Sequence, residues 1–199
     1  MTRIVTAGAS PSIQKTAFFR LLELGEVNRS TGYRLDASGK AVNAARVLNQ
    51  LSYGCCVNVS PLGRENTALF LQLAERDSLP VIPVAVPGRT RFCYTLLEPS
   101  SGRTTELVVD EEAVAEKYDS LADAFVKTIS DALQGAQALL LAGSRPVFWS
   151  EDLYPRIAAA ARSAGVLFMA DYRGKDLRST LSETIPSIIK INDSEFCET

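Results

Sequence analysis

The chain has 199 residues, 46% of them hydrophobic and 22% charged, with a formal net charge of −2. That length buries a sizeable core as one domain, or as one domain with a small appendage. The near-balanced charge, with Lys and Arg scattered among the acids, leaves no electrostatic footprint for nucleic acid. The chain contains no histidine, which removes His-based triads and the commonest metal ligand. Proton transfer therefore falls to carboxylates, lysine or some other group.

Four cysteines, Cys55, Cys56, Cys93 and Cys197, show no Cys-x-x-Cys spacing, so neither a zinc site nor a disulfide framework is indicated. Cys55 and Cys56 read as inert core or surface thiols. The longest strongly apolar stretch, 138–142, is far too short to span a bilayer, and the N-terminus lacks a signal-peptide apolar region. A cytoplasmic protein with no membrane partner is expected.

In chain order, residues 3–9 read as a first strand, rich in β-branched residues, and 15–19 as a second. A turn at 24–29 leads to a strand at 31–35 with little apolar alternation, so this pair is expected to form an edge flap away from the main core. Val42, Ala45, Leu48 and Leu51 recur at helical spacing over 41–52, and Ser38-Gly39 before them supplies a tight turn and an N-cap. A strand at 55–60 and an amphipathic helix at 64–77 follow, the helix carrying Leu69, Phe70, Leu73 and Ala74 on one face. Segment 79–86 contains Pro80 and Pro83 and is at best an edge or interrupted strand. Segments 90–98 and 104–109, joined by Pro99-Ser100-Ser101-Gly102, predict an antiparallel hairpin.

Residues 111–135 read as helix with a break near 118–120, and the apolar run 136–142 as a buried parallel strand. Ser150 is the candidate N-cap of a helix through Arg162 that Gly165 ends, before a strand at 166–170 with Asp171 at its C-terminal end. A short helix at 177–184, a strand at 188–191 and a helix opening at Asn192 complete the chain. Internal repeats and low-complexity linkers are absent. This alternation predicts a mostly parallel sheet covered on both faces, with the loops after Ala9, Ala142, Ala170 and Ile191 converging at a ligand site.

Segment 35–48 is the candidate site. The first N–H groups of its helix lack partners, the helix dipole favours an anion there, and Lys40 adds a full charge. Asp36 accepts hydrogen bonds from hydroxyls, and Asn43 both donates and accepts. The set suits a ligand carrying hydroxyls and an anionic group. A Gly and Ser before a helix serve equally as plain turn and cap chemistry, and the Walker pattern is absent, so both readings stand on spacing alone. A dinucleotide-binding reading is weak, because no Gly-x-Gly-x-x-Gly follows the first strand.

Several co-linear segments carry a resemblance: Val5-Thr6 through Ser10-Pro11-Ser12-Ile13-Gln14-Lys15-Thr16, then 24–29, 36–48, Thr90-Arg91, Leu141-Ala142-Gly143-Ser144 and 189–195. Together they resemble the ribokinase-like (phosphofructokinase B) carbohydrate kinases, most of all the 1-phosphofructokinase and tagatose-6-phosphate kinase branch. The resemblance implies a three-layer α/β sandwich with a small β-sheet lid built from about residues 12–35 and 88–110. It also implies a sugar-phosphate substrate, ATP and Mg2+ as cofactors, and a homodimer formed through the lid. By the same likeness Gln14, Asp36, Gly39, Lys40 and Asn43 bind the sugar and its phosphate, Arg91 lies near that phosphate, and Ser144 lines the cleft. Lys190 and Asn192 bind the nucleotide, and Glu195 helps hold the metal. Read without the family, Arg91 is equally a solvated strand residue, Ser144 a helix cap and Glu195 a first-turn acid favoured by the dipole.

Departures from the family pattern bear on substrate. Ser10-Pro11-Ser12-Ile13-Gln14 stands where Asn-Pro-Ala-Ile-Asp is usual, so neutral Gln14 replaces a carboxylate that holds sugar hydroxyls. Ser38-Gly39-Lys40-Ala41 stands where Gly-Gly-Lys-Gly is usual, and the added Cβ atoms narrow the approach of a ligand to the backbone. Family members also continue into a Gly-Ala-Gly-Asp segment that supplies the catalytic base, and nothing here matches it. The expectation is the N-terminal, substrate-binding part of a sugar-phosphate kinase. The competing expectation is a degenerate, non-catalytic protein that binds sugar phosphate or dimerises through its lid.

Overall fold

The computed structural model describes residues 3–109 and 119–199. Six strands form an all-parallel sheet: β1 (Ile4–Ala7), β4 (Cys56–Gly63), β5 (Val81–Val86), β8 (Ala138–Ala142), β9 (Leu167–Asp171) and β10 (Ile188–Ile189), in the order β10-β9-β8-β1-β4-β5. A second, four-stranded sheet has the order β3-β2-β6-β7 and comprises β2 (Ser12–Phe18), β3 (Gly32–Ser38), β6 (Phe92–Glu98) and β7 (Arg103–Val108).

Strand β1 shows how the layers form. Val5 and Ala7 join a core with Phe125 and Ile129 of α3 (Asp119–Ala132) and with Ile157 and Ala161 of α4 (Leu153–Ser163). Ile4, on the opposite side of the strand, packs with Val42 and Ala45 of α1 (Lys40–Leu51) and Phe70 and Leu73 of α2 (Thr67–Arg76). A sheet buried on both faces needs apolar residues at successive positions, which is why alternation is weak along β1 and β8. Ile13 and Ala37 extend the second core into the small sheet and anchor its inner end. Strand β5 lies at the sheet edge and pairs only with β4 through residues 80, 82, 84 and 86, so Pro83 faces its missing N–H away from the ladder and costs no bond.

Element boundaries moved where capping decides them. The N-cap of α1 is Gly39, and no side chain caps that helix; the Ser38 hydroxyl donates instead to Asn43 Oδ1 at 3.3 Å. Helix α4 starts at Leu153 behind Asp152, and Ser150 Oγ is buried with no hydrogen-bond partner among the described residues, so Ser150 is not the cap expected of it. The helix expected from 111 is described from Asp119 onward; residues 110–118 lie outside the described residues. Among the described residues no helix is long and apolar enough to cross a membrane. The remaining helices are α5 (Gly174–Glu183) and α6 (Asp193–Glu198).

Candidate functional site

Helix α1 begins with a cation at its positive end. Lys40 is the first helical residue and the first turn carries no acid, an arrangement the helix dipole opposes. The charge is balanced from outside the helix: Lys40 Nζ lies 3.3 Å from Asp171 Oδ1 and 3.9 Å from Glu195 Oε1. Lys190 Nζ reaches the same Asp171 oxygen at 3.4 Å. Four residues from α1, β9, β10's exit and α6 thus meet beyond the C-terminal ends of the parallel strands.

Local chemistry holds each of these elements in place. Asn192 caps α6: its Oδ1 accepts from the Glu195 N–H at 2.7 Å, and its own N–H donates to Glu195 Oε2 at 3.1 Å, a reciprocal capping box. The Asn192 N–H, and then the cations Lys40, Lys190 and Arg173, hold the Glu195 carboxyl below its ordinary value. The Gly143 N–H donates to the Asp171 carbonyl at 2.9 Å and the Tyr154 hydroxyl to the Gly143 carbonyl at 2.8 Å, which pins the loop after β8. Gly143 backs onto Lys40, whose Cβ lies 3.9 Å from where a Cβ on residue 143 would stand. Ser144, next in that loop, is exposed.

The strand-to-helix turn is tight. Gly39 has φ 118° and ψ 152°, a conformation open essentially to glycine alone, and a Cβ there would lie 3.1 Å from Pro11 Cα. Gln14 and Asp36 are registered partners on β2 and β3 and so project from the same face of the small sheet. Gln14 Nε2 donates to Thr95 Oγ1 at 2.6 Å. Asp36 Oδ1 accepts from Arg34 Nε and from Arg76 Nη2, each at 2.7 Å.

Arg91 lies between β5 and β6, where the chain is clamped. Asn66 closes on Thr90 from both sides, accepting its N–H at 2.7 Å and donating to its carbonyl at 2.8 Å. Gly63 allows the contact, since a Cβ on it would fall 2.2–2.4 Å from the backbone of Arg89 and Thr90. The Arg91 carbonyl accepts from the Ile13 N–H at 2.8 Å, and Arg91 Nε is buried without a hydrogen-bond partner among the described residues.

The structure therefore joins Lys40, Lys190, Asn192 and Glu195 in one cluster. It pairs Gln14 with Asp36 on the small sheet and sets Gly39 and Asn43 at the junction between the two regions. No hydrogen bond among the described residues ties Ser144 or the Arg91 side chain to that cluster. Asp171 was missed as a site residue: its place at the end of a parallel strand was the only signal, and its lysine partners are distant in sequence.

The donor set bears on the metal. Asp171 and Glu195 offer hard carboxylate oxygens, and no group of three or more metal-ligating side chains occurs among the described residues. That set fits Mg2+ as a nucleotide brings it, held by one or two carboxylates together with phosphates.

The chain is thus a parallel α/β protein with a small second sheet and a lysine at a helix start beside the strand ends. Residues 1–198 match the family described as pfkB family carbohydrate kinase, and the chain belongs to it. A 1-phosphofructokinase of Rhodobacter capsulatus is 31% identical over 195 residues, 98% of this chain and 60% of that protein. The tetrameric inhibited form of phosphofructokinase-2 from Escherichia coli superposes with a TM-score of 0.87 at 22% identity, covering 100% of this chain and 64% of that one. The same Escherichia coli enzyme in complex with fructose-6-phosphate gives 0.86 at 22% identity, with 98% and 63% covered. At that identity the structural likeness is one of fold. The chain spans about three fifths of the length of the relative and of these structures.

Proposed function

We propose that this chain is the N-terminal, substrate-binding portion of an ATP-dependent kinase that phosphorylates the hydroxymethyl group of a ketose phosphate such as fructose 1-phosphate. The observation carrying this reading is Lys40. A half-exposed cation at the positive end of a helix, balanced among the described residues by carboxylates of other elements, supports an anion site at the strand ends. In this reading the existing phosphate of the sugar sits near Lys40 and the buried, unpartnered Arg91 Nε. Gly39, Asn43, Gln14, Asp36 and Ser144 contact the sugar.

Lys190 and Asn192 serve the nucleotide, and Glu195 with Asp171 supplies oxygens for Mg2+, which when bound neutralises charge on the transferring phosphoryl group. These residues bind and orient; the base that accepts the hydroxyl proton is not assigned to this chain. The small sheet acts as a lid over the sugar. Its other face carries Lys15, Tyr33, Tyr94 and Leu107, and Lys15 Nζ stands 4.6 Å from the Tyr33 ring centre. We assign that face to a homodimer.

A non-catalytic sugar-phosphate-binding or dimerising protein is the second reading. It is favoured by neutral Gln14 and by the two guanidiniums on Asp36 Oδ1. Calorimetry with fructose 1-phosphate and fructose 6-phosphate on the full-length protein, followed by an ATP turnover assay, separates the two. Binding with turnover supports the kinase; binding without turnover supports the second reading; no binding removes both sugar-phosphate readings.

A further inference from the structure

Arg46 lies three residues beyond Asn43 on α1, its side chain only 16% exposed. Its guanidinium is held on every side: Nη1 donates to Asn43 Oδ1 at 2.7 Å, Nε to Asp77 Oδ2 at 3.0 Å, and Nη2 to the Ala37 carbonyl. Asp77, the C-cap residue of α2, is itself 14% exposed and also lies 3.6 Å from Arg76 Nε. The fork is thus anchored to two elements before it touches Asn43.

A guanidinium has donors and no acceptor, so the Asn43 amide must turn its oxygen toward Arg46 and its nitrogen away. The Ser38 hydroxyl, donating to the same Oδ1 at 3.3 Å, reinforces that choice. The Asn43 Nδ2 group, with two hydrogens to donate, is left without a partner among the described residues and on the exposed side of the first helical turn. Two amide donors one turn into a helix that begins with Lys40 suit an oxygen-rich, anionic ligand.

We propose that Arg46 is a positioning residue that turns the Asn43 carboxamide so that its Nδ2 donors meet the sugar phosphate. The proposal rests on the reading of Asn43 as a substrate contact. It adds a chain of control from the α2 terminus, through Asp77 and Arg46, to a binding donor. Arg46 itself touches no ligand.

The test is a double-mutant cycle on the full chain, with fructose 1-phosphate titrated by calorimetry against the unaltered protein, Asn43→Ala, Arg46→Met and the double variant. Asn43→Ala is expected to weaken binding about tenfold, and Arg46→Met by a comparable factor. The double variant is expected to stay within about twofold of Asn43→Ala alone, because without the amide there is nothing for Arg46 to orient. A merely structural Arg46 weakens binding by the same factor in both backgrounds. That result, or unchanged affinity in Arg46→Met, overturns the proposal and leaves the site reading standing. Unchanged affinity in Asn43→Ala, or no binding by the unaltered chain, removes the site reading and the proposal with it. Should Arg46→Met not fold, Arg46→Lys, which keeps the charge but not the fork, takes its place in the cycle under the same criteria.

Discussion

Lys40 Nζ lies 3.3 Å from Asp171 Oδ1 across 131 residues of sequence, joining the start of α1 to the C-terminal end of β9. The lysine side chain is 48% exposed, and ion pairs of that kind contribute at most about 1 kcal/mol to stability. Lys40→Ala also relieves an unfavourable charge at the helix start. The variant is therefore expected to melt close to the unaltered protein while losing about 1 to 3 kcal/mol of sugar-phosphate affinity, the range for a charge-assisted contact. Calorimetry and a thermal melt on the same preparation measure both. Unchanged affinity would take Lys40 out of the site.

Gly39 should be far less tolerant of change than Gly32, although both belong to the β3–α1 region. A side chain at 39 meets both a glycine-only backbone conformation and Pro11 Cα at 3.1 Å, whereas a Cβ at 32 has nothing within 4 Å. Gly39→Ala is expected to cost about 1 to 3 kcal/mol in urea unfolding, and Gly32→Ala less than about 1. Equal midpoints for the two variants would contradict the strain at residue 39.

The order of strands and helices was legible because long periodic segments dominate it: Val42, Ala45 and Leu48 mark α1, and the apolar run before Gly143 marks β8. Boundaries were less legible. Ser150 has the chemistry of a cap, yet its hydroxyl is buried unpaired while the helix begins at Leu153, since tertiary packing sets where that chain turns. In the candidate site, the helix start singles out Lys40 and Asn43, and the resemblance singles out Lys190, Asn192 and Glu195. Asp171 and the Arg46–Asp77 pair were not assigned, because those contacts are made across 131 and 31 residues of sequence, which no local pattern encodes.

Asn49 is the polar link between α1 and β4. Buried at 8% exposure, it donates to the carbonyls of Ala45 and Cys56 at 3.1 and 3.0 Å and accepts from the Cys56 N–H at 3.2 Å. Asn49→Ala strands both backbone groups of Cys56 and is expected to destabilise the fold by about 2 to 3 kcal/mol. Asn49→Asp restores an acceptor and no donor, and should fall at least as far because it buries a charge. Chemical denaturation checks both; a loss under about 0.5 kcal/mol in Asn49→Ala would show that the link is dispensable.

The four thiols should separate by reactivity. Burial, with a smaller push from Cys55, raises the Cys56 thiol to about 11, so only about one molecule in a thousand carries the thiolate at pH 8. Cys55 is also buried, with its Sγ donating to the Leu48 carbonyl at 3.3 Å, while Cys93 is half-buried and Cys197 exposed. Iodoacetamide labelling followed by mass spectrometry is expected to modify Cys197 first and Cys93 more slowly, with Cys55 and Cys56 protected until the protein unfolds. Labelling of Cys56 at the rate of Cys197 would refute its burial.

Glu195 links the pH dependence of α6 to the site. Its folded value is depressed, first by the Asn192 N–H and then by Lys40, Lys190 and Arg173, so the capping box is fully formed above the ordinary glutamate range. Its contribution is lost as pH falls through the depressed folded value, which places the loss on the acid side of that range. Observed by NMR, the Glu195 carboxyl carbon is expected to titrate below the ordinary glutamate value, with the Asn192 amide proton following the same curve. Lys40→Ala should move that midpoint upward while leaving it below the ordinary value, because the backbone hydrogen bond is the larger cause and survives the substitution. A midpoint at or above the ordinary value in the unaltered protein would mean that the capping box does not form in solution. A full return to that value in Lys40→Ala would assign the shift to the ammonium group alone.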